Sequence, residues 1–314
     1  MTPPAGADAA TADSLPLAQG APAPDTPLRR FVREFCESKL ALGALIVFVL
    51  ISLCAIFAPW ISPQNPYDLA QLDIMDGRLE PGSQSGDGSM TYWLGTDDQG
   101  RDMLSGIFYG LRISLAVGAG SAFIAFLVGM SLGLMAAYFG GRTDSLIMRL
   151  VDLQLSFPAI LVALMILAFL GKGVMNVVIA LVVVEWAYYA RTVRGTALVE
   201  RRKEYIEAAR CLALSHNRIV FRHLLPNCLP PLIVVGTMQV ARAIALEATL
   251  SFLGLGVPIT EPSLGLLIAN GYEYMLSGKY WISFYPGIAL MITIVVINLV
   301  GDHLRDVLNP RLKR

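Results

Sequence analysis

The segment Lys203–Asn227, KEYIEAARCLALSHNRIVFRHLLPN, is basic, polar and rich in helix formers, and long apolar runs lie on both sides of it. Its reading decides the fold class. A membrane span needs about 20 apolar residues at a rise of about 1.5 Å each, and the flanking runs have that length. The segment is therefore a charged helical excursion between membrane spans. Composition agrees: the 314 residues are 55% hydrophobic and 15% charged, against about a quarter charged in soluble domains. Lys plus Arg equals Asp plus Glu at 24 each, so net charge gives no reason to expect a nucleic-acid partner.

Working outward, six apolar blocks qualify as spans: 40–60, 113–139, 147–170, 174–190, 228–255 and 281–300. Backbone amides in lipid need internal partners, so the blocks are read as helices. Barrel strands would be about ten residues long and strictly alternating. Pro158 lies inside the third block and predicts a kink there. The expected class is an all-α membrane protein, with a disordered tail over 1–35 and a transmembrane domain over 36–314. The tail is rich in Ala and Pro and has the composition of disorder. It lacks the basic start and apolar run of a signal peptide.

Orientation follows from Lys and Arg. Arg29, Arg30, Arg33 and Lys39 precede the first block, and Arg305, Arg311, Lys313 and Arg314 follow the last. Arg191, Arg194, Arg201, Arg202, Lys203, Arg210, Arg218 and Arg222 crowd between the fourth and fifth. The other side holds Arg78, Arg101, Arg112, Lys172 and Lys279. The positive-inside rule then places both termini in the cytoplasm. The long loop 61–110, acidic and Gly/Ser-rich at its middle, falls outside, as does the shorter loop 256–280.

Within the opening segment, 204–212 favours helix. Tyr205, Ala208, Ala209 and Leu212 can form its apolar face. Ser215 is placed to cap a second short helix over 216–225, which Pro226 should end. One reading of this pair is a basic amphipathic element lying on anionic lipid.

Four charged residues fall inside or at the ends of spans: Asp152, Glu185, Arg242 and Glu247. Such groups usually face protein or a watery path. Asp152 follows Arg149 by three positions, the spacing of a same-face ion pair. Glu185 is near a span end, where its side chain can snorkel. Arg242 is about 20 Å into its span, and with Glu247 it is a candidate for a translocation path, pairing with another subunit being the rival. Gly129 and Gly133 form a GxxxG, a pattern for close helix packing. The three histidines lack metal-site spacing, and the four cysteines contain no CxxC pair; they are read as surface polar groups and small buried or interfacial apolar residues.

Several motifs together resemble one family. EAA at Glu207–Ala209, followed by Ser215, Arg218, Ile219 and RHLLPN (Arg222–Asn227), is similar to the EAA loop of permease subunits of bacterial ABC importers. WLGTDDQGRDMLSGIFYGLRISL (Trp93–Leu115), AYFGGRTDSLIMRLVDLQLSFP (Ala137–Pro158), EATLSFLGLGV (Glu247–Val257) and FYPGIALMITIVVINLVGDHLRDVLNP (Phe284–Pro310) resemble further segments of the dipeptide/oligopeptide/nickel permeases, C-type subunit. Two positions depart: Ala213 stands where the family usually has Gly, and Leu264 where it often has Trp. An Ala there argues against a left-handed backbone.

The resemblance implies a type I importer fold with six spans and coupling helices in the loop 195–227. It implies coupling residues Glu207, Ala208, Ala209, Arg210, Ala213, Ser215, Arg218 and Arg222. It also implies a second homologous permease, two cytoplasmic ATPases carrying ATP and Mg, a periplasmic binding protein, and residence in the bacterial inner membrane. The chain has no GxxxxGK[ST] phosphate loop and no visible catalytic constellation or cofactor site. The implied substrate is a dipeptide or oligopeptide; nickel, glutathione or another small solute is the alternative. A self-sufficient secondary carrier is the rival of another class, and it would normally show repeated halves, which the sequence lacks.

Overall fold

The computed structural model describes residues 27–258 and 260–308. The elements are α1 Pro27–Glu37, α2 Lys39–Ile61, β1 Ser83–Gln84, β2 Thr91–Tyr92, α3 Met103–Phe139, α4 Gly141–Ser156 and α5 Ala159–Leu170. They continue with α6 Val174–Glu200, α7 Glu204–Cys211, α8 His216–Arg218, α9 Leu225–Phe252, α10 Leu264–Tyr272 and α11 Trp281–Leu308. Among the described residues, five stretches are long and apolar enough to cross a membrane, one of them being α8 and α9 as a single helix. The pair α4 and α5 adds a sixth crossing if taken as one span, bent by 92°. The pair does connect the two ends of the bundle. Asp144 in α4 is tied to Arg194 near the basic end of α6, and the Gly173 amide beyond α5 donates to the Gly256 carbonyl at the opposite end. The expected kink at Pro158 is thus a full break.

Several expectations are corrected. The disordered tail expected over 1–35 lies largely outside the described residues, but its last part belongs to α1. In α1, Phe35 is buried and packs edge-on to His303 of α11 with centroids 4.9 Å apart. The spans also overrun their apolar blocks: α3 starts at Met103, α6 runs on to Glu200, and α11 to Leu308. Hydropathy marks the lipid-facing part of a helix, whereas Ala, Arg and Leu continue the helix into water. Pro226 does not end a helix. It sits in the first turn of α9, where its missing N–H costs little, and a π-helical turn over Ile219–Leu224 joins α8 to α9 without interruption.

The bundle centres on α3 and α6. A Cβ added at Gly129 would stand 2.4 Å from the Trp186 carbonyl oxygen, and one at Gly133 2.5 Å from that of Ala190. The two backbones therefore touch, the packing that small residues permit where lipid supplies no hydrophobic drive between helices. Along α2 the same logic appears from outside. Its buried positions are Ala41, Ala44, Ala55 and Ala58, while Ile46, Leu50, Ile56 and Phe57 are exposed.

The loop before α3 is folded. Asp76 is buried and accepts from the Tyr92 hydroxyl at 2.9 Å and from the Gly86 amide at 3.0 Å. Asp97 and Arg101 form a fully buried pair, Nε to Oδ2 at 2.6 Å. Gly100, at φ +76°, lies so close to the Asp73 carbonyl that a Cβ would come within 2.0 Å of its oxygen, so only Gly serves there. Asp102 caps α3, accepting from the Ser105 amide at 2.8 Å. The Trp281 indole donates to the Thr96 carbonyl at 3.2 Å and ties the loop to α11. The second loop, over 256–280, contains the buried helix α10, capped by Ser263 and wedged between α9, α3 and α11.

Candidate functional site

The loop over 201–224 is clamped to the bundle from below. Arg201 Nη1 donates to the Ala137 carbonyl at 2.6 Å and to that of Tyr138 at 3.2 Å, satisfying acceptors left open at the end of α3. Tyr138 and His216 meet hydroxyl to Nδ1 at 2.5 Å. Glu200 binds the Lys203 ammonium at 2.6 Å and accepts from the Tyr205 hydroxyl at 2.7 Å. Burial and this carboxylate push the Tyr205 phenol above its ordinary range.

α7 inserts Ile206 and Ala209 into the core that Tyr189, Val193, Ile219 and Leu224 build. Its outer face presents Glu207, Ala208 and Arg210, all exposed. The predicted apolar face is thus corrected. Ala209 lies inward, 3% exposed, but Ala208 and Leu212 lie outward, the latter 74% exposed. The helix ends in a Schellman turn, with the Leu214 amide donating to Ala209 at 3.2 Å and that of Ala213 to Arg210 at 2.9 Å. Ala213 accordingly takes φ +50°, against the expectation from its side chain; the helix end imposes the conformation. Ser215 stands at the N-cap of α8, yet its hydroxyl makes no capping bond. Ser215, Arg218 and Arg222 are exposed and continue the surface begun by Glu207 and Ala208.

The intramembrane charges find partners that spacing did not indicate. Asp152 binds Arg191 of α6 at 2.5 Å rather than Arg149. Arg194 forks onto Asp144, Nε to Oδ1 at 2.5 Å and Nη2 to Oδ2 at 2.6 Å. The Arg242 guanidinium lies 4.3 Å over the Tyr188 ring and donates to its hydroxyl at 2.8 Å. Glu247 is fully buried and accepts from Ser114 at 2.8 Å and Ser251 at 2.7 Å. Within this chain its carboxylate is a tie between α3 and α9. Glu185 does not snorkel: it is 0% exposed, and neither carboxylate oxygen has a hydrogen-bond partner among the described residues. Of the cysteines read as small buried or interfacial residues, Cys228 is buried and Cys54 half-buried, while Cys36 and Cys211 are exposed.

Residues 129–314 match the family model of the binding-protein-dependent transport system inner membrane component. The chain belongs to this family. Residues 26–81 match a second model, the N-terminal transmembrane domain of oligopeptide transport permease C. The permease is 39% identical over 288 residues to the di/tripeptide transport system permease protein DppC of Pseudomonas aeruginosa, covering 92% of this chain and 93% of that one. It is 40% identical to the dipeptide transport system permease protein DppC of Escherichia coli, covering 94% and 96%. A glutathione transport system permease protein of Pectobacterium atrosepticum is 38% identical, covering 92% of each. Among solved structures, an inward-facing MetNI methionine ABC transporter matches with a TM-score of 0.54 and 24% identity, over 66% of this chain and 98% of that chain. That likeness supports the fold, the type I ABC importer permease. The EAA stretch Glu207–Ala209 lies in α7, with Glu207 and Ala208 exposed and Ala209 buried. The buried helix α10 and the folded loop before α3 carried no periodicity strong enough to be read from sequence.

Proposed function

We propose that this permease forms half of the translocation path of an ATP-driven importer for dipeptides or oligopeptides. A second homologous permease completes the path. Two ATPases, which carry ATP and Mg, dock on the basic end, in the cytoplasm, and a periplasmic binding protein delivers substrate at the other. Both termini are then cytoplasmic, as the Lys and Arg distribution favours. The single observation that carries the reading is the two-sided build of α7. Ile206 and Ala209 are locked into the core while Glu207, Ala208 and Arg210 face out. Motion imposed on the outer face must move the core with it.

In this reading the small Ala208 allows close approach of an ATPase groove. Glu207, Arg210, Ser215, Arg218 and Arg222 set register and partner choice. Ala209 anchors the helix from within, and the exposed Ala213 shapes its end. The peptide substrate is supported by relatives named as di/tripeptide and dipeptide transport permeases, which match over nearly the whole chain.

The test is affinity purification of the tagged permease from native membranes, with mass spectrometry of what accompanies it, beside Ala208→Arg. Co-purification of two ATPases and a second permease, with the ATPases lost in the variant, is the expected result. A chain that purifies alone, with an indifferent variant, would sink the reading in favour of a self-sufficient carrier.

A further inference from the structure

At the end of the bundle away from α7, a cavity of about 310 Å³ opens between the end of α9, α10 and the loop before α3. Small-molecule sites begin at about this size. Phe252 and Val257 give it apolar wall, and Asp98, Lys172, Asn270 and Glu273 give it polar groups. Two acids and one base therefore face a single small volume.

Two features mark the wall as incomplete by itself. Asp98 Oδ1 and Asn270 Nδ2 are buried atoms without a hydrogen-bond partner among the described residues. Buried polar atoms are normally satisfied. The neighbouring Asp97 differs, since it accepts from Arg101 and from the Gln99 amide at 2.8 Å. Burial and the adjacent Asp97 charge hold the Asp98 carboxyl above the usual carboxylate range, a bias that an incoming cation would reverse. The wall is also rigid. Ser251, which lines it, is fixed by Glu247 at 2.7 Å, and Tyr274 lies under the Arg78 guanidinium at 5.3 Å.

We propose that this cavity receives a zwitterionic solute, its ammonium on Asp98 and Glu273 and its carboxylate on Lys172. The proposal rests on the peptide reading above and deepens it by naming where the permease first holds the two charged ends. The mixed signs argue for a zwitterion over a metal ion, which would not call for Lys172.

The experiment uses the complete importer in vesicles of phosphatidylglycerol alone, which offer no ammonium headgroup as a rival occupant. The loaded binding protein is supplied in excess. The readout is labelled dialanine delivered per ATP hydrolysed. Glu273→Gln and Lys172→Gln, both at exposed side chains, and the more buried Asp98→Asn should each lower that ratio roughly tenfold, as loss of one charge-assisted hydrogen bond implies. Dialanine amide lacks the carboxylate, so Lys172→Gln should lower the ratio for dialanine and not for the amide. An unchanged ratio in Glu273→Gln and Lys172→Gln overturns the proposal. So does a parallel fall in uptake and hydrolysis, which would make the cavity a docking surface for the binding protein. A wild-type importer that carries no dialanine refutes the peptide reading itself, and is told apart by failing before any substitution.

Discussion

Ser114 of α3 donates its hydroxyl proton to Glu247 of α9 across 2.8 Å, joining residues 133 positions apart inside the apolar bundle. With the Ser251 bond at 2.7 Å, both carboxylate oxygens are engaged. Replacing Glu247 by Leu would strand two hydroxyls, at a cost of about 1–3 kcal/mol; Gln would keep an acceptor and cost less. Thermal unfolding of the detergent-solubilised protein should rank wild type, Gln, then Leu. Equal midpoints for Gln and Leu would show that the tie contributes nothing.

The α3–α6 contact predicts opposite signs for two glycines of one helix. Gly133→Ala forces a Cβ against the Ala190 carbonyl at 2.5 Å, whereas a Cβ at Gly120 meets nothing within 4 Å. The first should destabilise by about 1–3 kcal/mol through overpacking. Gly120→Ala should be neutral, or stabilise by up to about 1 kcal/mol through helix propensity. Fluorescence-detected size exclusion after a heat step measures both, and a harmless Gly133→Ala would contradict the close approach.

At the end of α7, Ala213 carries φ +50°. A side chain there costs about 1–2 kcal/mol, partly offset by the lower entropy of Ala in the unfolded chain. Ala213→Gly should therefore stabilise the loop by about 0.5–1 kcal/mol. Hydrogen exchange of the Leu214 amide, which closes the turn, should slow in the variant.

A pH effect follows from Asp102 at the start of α3. Burial raises its carboxyl above the ordinary value, outweighing the bonds from Ser105. The folded state thus holds the proton more tightly than the unfolded one. Stability of this corner falls as pH rises from the ordinary carboxylate value through the raised one, and it is greatest below both. Protection factors around Ser105 should be higher at mildly acidic than at neutral pH. In Asp102→Asn, which keeps the capping acceptor, that difference should vanish; a persisting difference would assign it to another group.

Much of this architecture could be read from local signals. Apolar runs located every spanning helix, Pro158 marked where α4 gives way to α5, and Gly129 with Gly133 announced a close helix contact, though not that α6 is the partner. The EAA segment and its helical character were also plain, because helix propensity and hydropathy act over a few neighbouring residues. The outward face of α7 was only half legible, since Tyr205, Ala208, Ala209 and Leu212 obey helical spacing, yet which of them is buried depends on where the loop rests.

Partner choice belonged to the tertiary structure. Asp152 meets Arg191 rather than Arg149, Arg242 settles on Tyr188, and Glu247 reaches Ser114, because hydrogen bonds and ion pairs fall off within a few ångströms and the winning group sits on another helix. The same holds for the loop before α3, whose short polar residues form no periodic pattern and take shape only against Trp281 and the end of the bundle. Local sequence determined which stretches are helices and where they break. Distance across the folded bundle decided which polar groups meet.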